Sequence, residues 1–448
     1  MNNKLIPTII FKSLLTGLGL VLMTLVLPWS AFPEGGTHLD ESFGKGGVIK
    51  ISFGAESYPS GGAVQSDGKL VVAGSFNYEG YSRAIALTRV HANGTLDEKF
   101  GNKGIVITKV GINSRSTGVA IMPDGRIVIV GWSFAERENQ GVTLAMYHAN
   151  GTLDTNFGDN GLLIIPDKRY SAPYAYTLAI QPDGKILVGG EIKINLDYNK
   201  KFFLARVTSD GALDTEFGEK GKVVTDVGGG DVKITALALQ QDGKIIASGI
   251  QQKDSRGAKG SSSSHILARY NSNGSLDKRF GNQGLFIKTM KEGFYVSATV
   301  SVLPDGRVYL IDSYSLQEAG WLLLSRLNED GSLDSTFGQG GTSTSRIAFA
   351  HARELFPVLQ PDGKVLICGP FVRLSDPPPH SFRIGVSRFL SNGQADNSFG
   401  LNGTQIVPIG AVYDYPAFMT VQKNGRIVVV GYSKDEVAQQ IVLIGLVP

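Results

Sequence analysis

RYNSNGSLDKRFGNQG, residues 269–284, runs from an arginine on an apolar stretch through an Asn-Gly turn, a Leu-Asp pair and a Phe-Gly pair to a closing glycine. With small changes it is written seven times, its aspartate falling at Asp40, Asp97, Asp154, Asp214, Asp277, Asp334 and Asp396, with gaps of 57, 57, 60, 63, 57 and 62 residues. Self-similarity at such a period marks a repeat architecture, whose units cannot bury their apolar faces alone and gain a core by stacking on their neighbours.

A second phrase recurs inside each unit: an apolar run, Asp-Gly-Lys or Asp-Gly-Arg, then a β-branched run ending in glycine. Examples are LAIQPDGKILVGG (178–190), VAIMPDGRIVIVG (119–131) and VSVLPDGRVYLID (300–312); the turn residues are Asp67, Asp124, Asp183, Asp242, Asp305, Asp362 and, as a variant, Asn424. Two apolar runs around Asp-Gly or Asn-Gly form the strongest short-range hairpin signal. We name these strands a and b. A third strand c, such as HILARYNSNG (265–274), ends at another turn, and a short strand d follows the Phe-Gly pair. No helical periodicity interrupts the pattern. Four short antiparallel strands per unit, seven times over, predict an all-β seven-bladed β-propeller. The repeat region opens with a d strand, GGVIKIS (46–52), and closes with a c strand, QIVLIGLV (440–447), so the first strand is expected to complete the last blade and close the ring. The competing architecture, a parallel β-solenoid, fits the hairpin turns poorly.

The NGSLD–FG–G signature with a DGK hairpin at this spacing resembles the delta-60 repeat family of bacterial exported proteins. The resemblance covers residues 37–448 and implies a propeller and export; the family is of unknown function, so no activity is implied.

Residues 1–31 read as a signal peptide: Lys4 and Lys12 precede an apolar run from Ser13 to Trp29, followed by Ser30 and Ala31. The alternative is an uncleaved anchor, the only route to a membrane that the chain offers. Removing two lysines from a formal net charge of +3 leaves about +1, so no basic surplus argues for nucleic acid. The sole cysteine, Cys368, excludes an internal disulfide. A periplasmic, cell-surface or extracellular monomer is expected.

The repeated residues read as frame. An arginine stands eight residues before the Leu-Asp aspartate at Arg89, Arg206, Arg269, Arg326 and Arg388, and should pair with it; Met146 takes its place before Asp154, which is expected to rely on backbone donors. The phenylalanines Phe43, Phe100, Phe157, Phe217, Phe280, Phe337 and Phe399 read as apolar plugs. His91 and His148 fall at equivalent turn positions, no histidines show metal-ligand spacing, and no nucleophile or phosphate-loop motif is present. No cofactor and no metal are expected.

Function is then sought where units differ. The b–c loops include three long outliers, 251–264, 193–201 and 373–382. Nine residues before each hairpin aspartate or asparagine, where strand a enters the central channel, stand Tyr58, Arg115, Tyr174, Lys233, Val296, Arg353 and Tyr415, with Tyr295 one place earlier in the fifth unit. A ring of tyrosines and cations suits sugars, aromatic groups or anions. The expected function is a binding scaffold that takes a protein or glycan on these variable loops and performs no chemistry. The alternative is a glycan-active hydrolase or lyase at the channel mouth, to be recognised by a tight cluster of two or three partly buried Asp, Glu, His or Arg from different blades. A purely structural surface protein is a third reading.

Overall fold

A computed structural model describes residues 39–53, 56–79, 82–135, 139–166, 173–193, 199–253, 262–290, 294–316, 319–345, 355–372, 382–407, 409, 413–434 and 439–448. The segment read as a signal peptide lies outside them, as do most of the three long b–c loops. Every regular element among the described residues is a strand.

The fourth unit shows the plan. Strands Asp231–Leu239, Ile245–Lys253, Ser262–Tyr270 and Leu285–Met290 pair antiparallel in chain order. Five such four-stranded sheets account for residues 57 to 345. The remaining strands form one eight-stranded sheet, so the strands gather into six sheets where seven separate blades were expected. Its two halves meet at a single parallel bridge between Phe382 and Tyr413, whose rings lie 5.6 Å apart. One half is Phe356–Leu359, Val365–Val372, Phe382–Phe389 and Thr404–Val407; the other is Tyr413–Val421, Ile427–Lys434, Gln439–Leu446 and Val48–Ile51. That last strand comes from the far end of the chain and pairs antiparallel with Gln439–Leu446, from Val48 opposite Ile444 to Ile51 opposite Ile441.

Neighbouring sheets pack face to face. One core cluster joins Val71 and Leu87 to Ile127 and Tyr147, and another joins Leu187 and Phe202 to Ile245 and Ile266. A third brings Phe43, Leu70 and Ala84 against Val428 and Leu443, from opposite ends of the repeat region. These side chains alternate along short β-branched strands, so both faces of each sheet are apolar and both must be covered.

One irregularity repeats. The a–b pairing shifts register between Pro59 and Gly61, Ser116 and Gly118, Ala175 and Thr177, Ile234 and Ala236, and Pro416 and Phe418. Just before each bulge the carbonyl of strand a presses onto the glycine that ends the b-strand phrase. A Cβ on Gly190 would stand 1.7 Å from the Tyr174 oxygen, and one on Gly131 2.0 Å from the Arg115 oxygen. Glycine is required there because no side chain fits.

Candidate functional site

The repeated phrase builds a corner. Arg89 Nε donates to Asp97 at 3.0 Å, and Arg206, Arg326 and Arg388 reach Asp214, Asp334 and Asp396 at 2.8, 2.7 and 2.8 Å. Arg269 lies 3.0 Å from Asp277. The five expected pairs are all present. Asp154 corrects the expectation of backbone donors alone: Arg126 of the DGR turn reaches it at 3.0 Å, alongside the Asn156 amide. Arg126 is one case of a wider rule, since Lys69, Lys185, Arg307 and Lys364 also reach the Leu-Asp carboxylates, at 3.1 to 3.3 Å. Two phrases that the sequence separates by about thirty residues thus share one ion cluster.

The same arginines clamp neighbouring units together. Arg89 donates to the carbonyl of Ala149, Arg206 to Ser272, Arg269 to Glu329 and Arg326 to Ser391. Each guanidinium also covers its Phe-Gly phenylalanine, as Arg269 covers Phe280 at 4.6 Å. The seven phenylalanines are at most 1% exposed, which makes them plugs and excludes them as ligand platforms. Hydrogen bonds from hydroxyls and amides, together with arginine, hold Asp334 down at about 2 against the opposing effect of burial. Exposed His91 and His148 stand 3.8 and 3.7 Å from Asp97 and Asp154.

The variable column behaves differently. Its backbone is the stretch pressed against the b-strand glycines, so its side chains are aimed by the bulge that follows. Three members gather with partners that the column did not contain. Tyr415 lies between Phe382, 4.9 Å away and inclined 28°, and Tyr432, 5.2 Å away and inclined 21°. Tyr432 meets Tyr58 edge-on at 6.4 Å, and the Arg83 guanidinium lies 4.7 Å above the Tyr58 ring. The Tyr58 hydroxyl donates to Glu56 at 2.8 Å; burial and that carboxylate raise its pKa, while Arg83 and Arg115 pull it down. These rings are half-buried and Arg115 is exposed.

Tyr174 and Lys233 belong to a second group. Lys233 Nζ stands 5.3 Å over the Tyr176 ring, whose hydroxyl is pushed well up by burial and by Glu191. Glu191 is 4% exposed, and Lys200 bridges it to Asp231 at 2.7 and 2.8 Å. Burial raises the Glu191 pKa, with Lys200 opposing. Strand Phe294–Val302 carries Tyr295, whose side chain is not described, and Arg353 lies outside the described residues. The members missed at the sequence level, Tyr432, Phe382, Arg83 and Glu191, sit on strands b and c. A per-unit alignment of the residue after the b-strand glycine would have raised Tyr432 and Glu191 beside Trp132.

A Ser–His–Asp relay lies elsewhere. Ser248 Oγ is 2.7 Å from His265 Nε2, and His265 Nδ1 donates to Asp312 Oδ1. All three residues are 0% exposed. A nucleophile must be reached by a carbonyl carbon, and this one is sealed between two sheets. Lys288 stands 3.7 Å from Asp312 and donates to Ser325 at 2.7 Å; burial lowers its pKa, with Asp312 opposing. Asp312 occupies the position that is glycine in the other units. The relay is an inter-sheet polar lock.

The model of a family described as a domain of unknown function (DUF5122) beta-propeller matches residues 65–100, 123–157, 181–217, 240–280, 303–337 and 360–399, half of the chain. The chain belongs to this family. Each matched segment of this DUF5122 propeller runs from the hairpin to the Phe-Gly phenylalanine, and so contains the corner. The column residues Tyr58, Arg115, Tyr174, Lys233, Tyr295, Arg353 and Tyr415 all fall outside the matched segments. Among solved structures, a protein of unknown function from Dyadobacter fermentans is 12% identical over 90% of this chain and 100% of its own, with a TM-score of 0.49. The polysaccharide lyase Uly1 is 10% identical over 89% of this chain and 99% of its own, at 0.50. A Trypanosoma rangeli sialidase in complex with the inhibitor DANA is 11% identical over 78% and 57%, at 0.42. At these identities the likeness concerns fold alone. No curated protein matches the chain. Among the described residues of the DUF5122 propeller, no three metal-ligating side chains cluster.

Proposed function

We propose that this chain is an exported, monomeric scaffold of the delta-60 type that binds a glycan at the channel end where the a strands begin. The observation that carries the reading is the half-buried stack Phe382–Tyr415–Tyr432–Tyr58 under Arg83. Five side chains from three successive units form it, in the positions where the repeat is not repeated. Rigid aromatic side chains supply contact area at low entropic cost, and guanidinium groups supply oriented donors. A panel of neutral and acidic oligosaccharides applied to the mature protein tests it. Binding is expected, and Tyr415→Ala with Tyr432→Ala should weaken it at least tenfold, about 1.4 kcal/mol, by removing rigid contact surface and two hydroxyls. Equal binding by that variant would refute the reading.

The frame that supports this site is taken as seven blades in a closed ring. In this reading the eight-stranded sheet is two blades touching at one bridge, and Val48–Ile51 is the outer strand of the last. The clamps support it. Gly101, Gly158, Gly218, Gly281 and Gly338 each donate to a turn carbonyl of the following unit, and Gly44 does the same to Asn93 of the first unit. Arg426, from the seventh hairpin, bonds Asp40 at 2.5 Å and the Ala92 carbonyl at 2.9 Å.

An enzyme is the second reading, favoured by Glu191. A carboxyl with a raised pKa beside Tyr176, drawn with Asp231 from two units, is the kind of group a general acid requires. Release of reducing ends or unsaturated products from any member of the panel, abolished by Glu191→Gln, would establish it.

A further inference from the structure

Six of the seven hairpins turn on aspartate, and the seventh turns on Asn424. The difference decides where the arginine two residues on can bind. In the two Asp-Gly-Arg hairpins the turn carboxylate takes the Nε proton: Arg126 Nε donates to Asp124 at 2.8 Å and Arg307 Nε to Asp305 at 2.7 Å. The Leu-Asp carboxylates Asp154 and Asp334 receive Nη1 instead, at 3.0 and 3.1 Å. Asn424 makes the same turn, its Oδ1 accepting from the Arg426 amide at 3.1 Å as Asp124 and Asp305 accept at 3.0 and 3.1 Å. The other half of its side chain is an NH2 group, which has no lone pair to offer a guanidinium. Arg426 gives Nε to Asp40 at 2.5 Å, Nη2 to Ser42 at 2.7 Å and Nη1 to the Ala92 carbonyl at 2.9 Å. Asp40 has reason to need it. Its amide bonds the Gly445 carbonyl where that of Asp97 bonds Arg89, so Gly445 stands in the corner arginine's place, and a Cβ there would meet Phe43 at 2.7 Å. One guanidinium thus ties the last hairpin to the start of the repeat region, next to the ladder of Val48–Ile51 with Gln439–Leu446.

We infer that Asn424 is a modification site, where deamidation gives Arg426 a carboxylate within its own turn and loosens that tie. The Gly425 nitrogen attacks the Asn424 side-chain carbonyl carbon, the amide nitrogen leaves as ammonia with the glycine proton, and water opens the cyclic imide to aspartate or isoaspartate. Glycine has no side chain to hinder the attack, and Asn424 is exposed. The chain contains seven Asn-Gly pairs, and this is the one followed by a cation. Arg126 shows the arrangement that aspartate at 424 sets up, with Nε held inside its own hairpin.

The test follows hydrogen exchange of the full protein at residues 48–51 and 441–444, the paired strands. Asn424→Asp keeps the turn spelling of the other six hairpins, and it should speed exchange there at least about tenfold, the scale of a lost hydrogen bond to a charged group. Asn273→Asp, which copies Asp210 and Asp330 of other units, should leave that exchange unchanged. In an Asp40→Asn background the effect of Asn424→Asp should vanish, because Arg426 then has no carboxylate to abandon. Wild-type protein aged in mildly alkaline buffer should carry aspartate or isoaspartate at 424 in peptide maps and show the same faster exchange. Unchanged exchange in Asn424→Asp, an equal effect from Asn273→Asp, or a full effect in the Asp40→Asn background overturns the tie. Asparagine retained at 424 while other Asn-Gly turns convert overturns the modification site.

Discussion

At the scale of single residues, the chain separates positions fixed by the frame from positions free to vary, and the exceptions are informative. Asp312 stands in a glycine column, and a side chain fits there because the bulge of its unit falls two residues earlier, between Tyr295 and Ser297, which leaves Asp312 opposite Ala298; His265 and Lys288 meet it across the sheet gap. Removing the imidazole strands a buried carboxylate, so His265→Ala is expected to cost about 3–5 kcal/mol, against about 1 kcal/mol for Ser248→Ala; urea unfolding of both variants checks the order. The corner aspartates set the response to acid. Asp334 titrates at about 2 in the folded chain and near the ordinary 3.8 unfolded. Its contribution is therefore complete above the unfolded value and is lost as pH falls through about 2, and Asp97, Asp154, Asp214, Asp277 and Asp396 are lowered likewise. Stability measured from pH 5 down to pH 2 should fall steeply below about 4. Arginine–aspartate pairing could be read from the sequence because its eight-residue offset recurs. The partner of Asp154 could have been read too, since the unit with Met146 is one that spells its hairpin DGR.

Elements were the most legible level. Asp-Gly and Asn-Gly turns announce every hairpin, and Gly125, Gly184 and Gly243 at those turns take positive φ as the turn chemistry requires. The bulge in strand a was not legible. Nothing in its side chains marks an extra residue, and the signal lies on the partner strand, in a glycine kept clear for a carbonyl. Gly190→Ala should destabilise the chain by at least about 2 kcal/mol, because a methyl group 1.7 Å from the Tyr174 oxygen forces the strand apart. The aromatic stack was half-legible for a related reason. Tyr58 and Tyr415 share a column, but Phe382 and Tyr432 come from strands c and b, and only the packing of successive sheets brings four rings together.

For the molecule as a whole, the period of the repeat made the propeller plain, while the count of separate sheets did not follow from it. Contact at Phe382 and Tyr413 merges two sets of strands that the sequence keeps apart. The pairing of Val48–Ile51 with Gln439–Leu446 can be trapped directly. Lys50 and Val442 are partners in that ladder, and the one native cysteine is buried. Lys50→Cys with Val442→Cys should form an intramolecular disulfide on mild oxidation, seen as a faster-migrating monomer; intermolecular dimers instead would mean that the first strand pairs elsewhere.

The claim that ligand recognition sits at the a-strand entrances has a clear competitor at the other end of the same strands. There a cavity of about 440 Å³ opens among the hairpins, lined by Ile121, Ile180, Gln181, Leu239 and Gln240. Hydrogen–deuterium exchange of the protein, with and without its tightest-binding saccharide, distinguishes the two. Ligand at the a-strand entrances should protect residues 56–60, 413–416 and 430–434 and leave the hairpins unprotected. Protection confined to 121–126, 180–185 and 239–244 would contradict it.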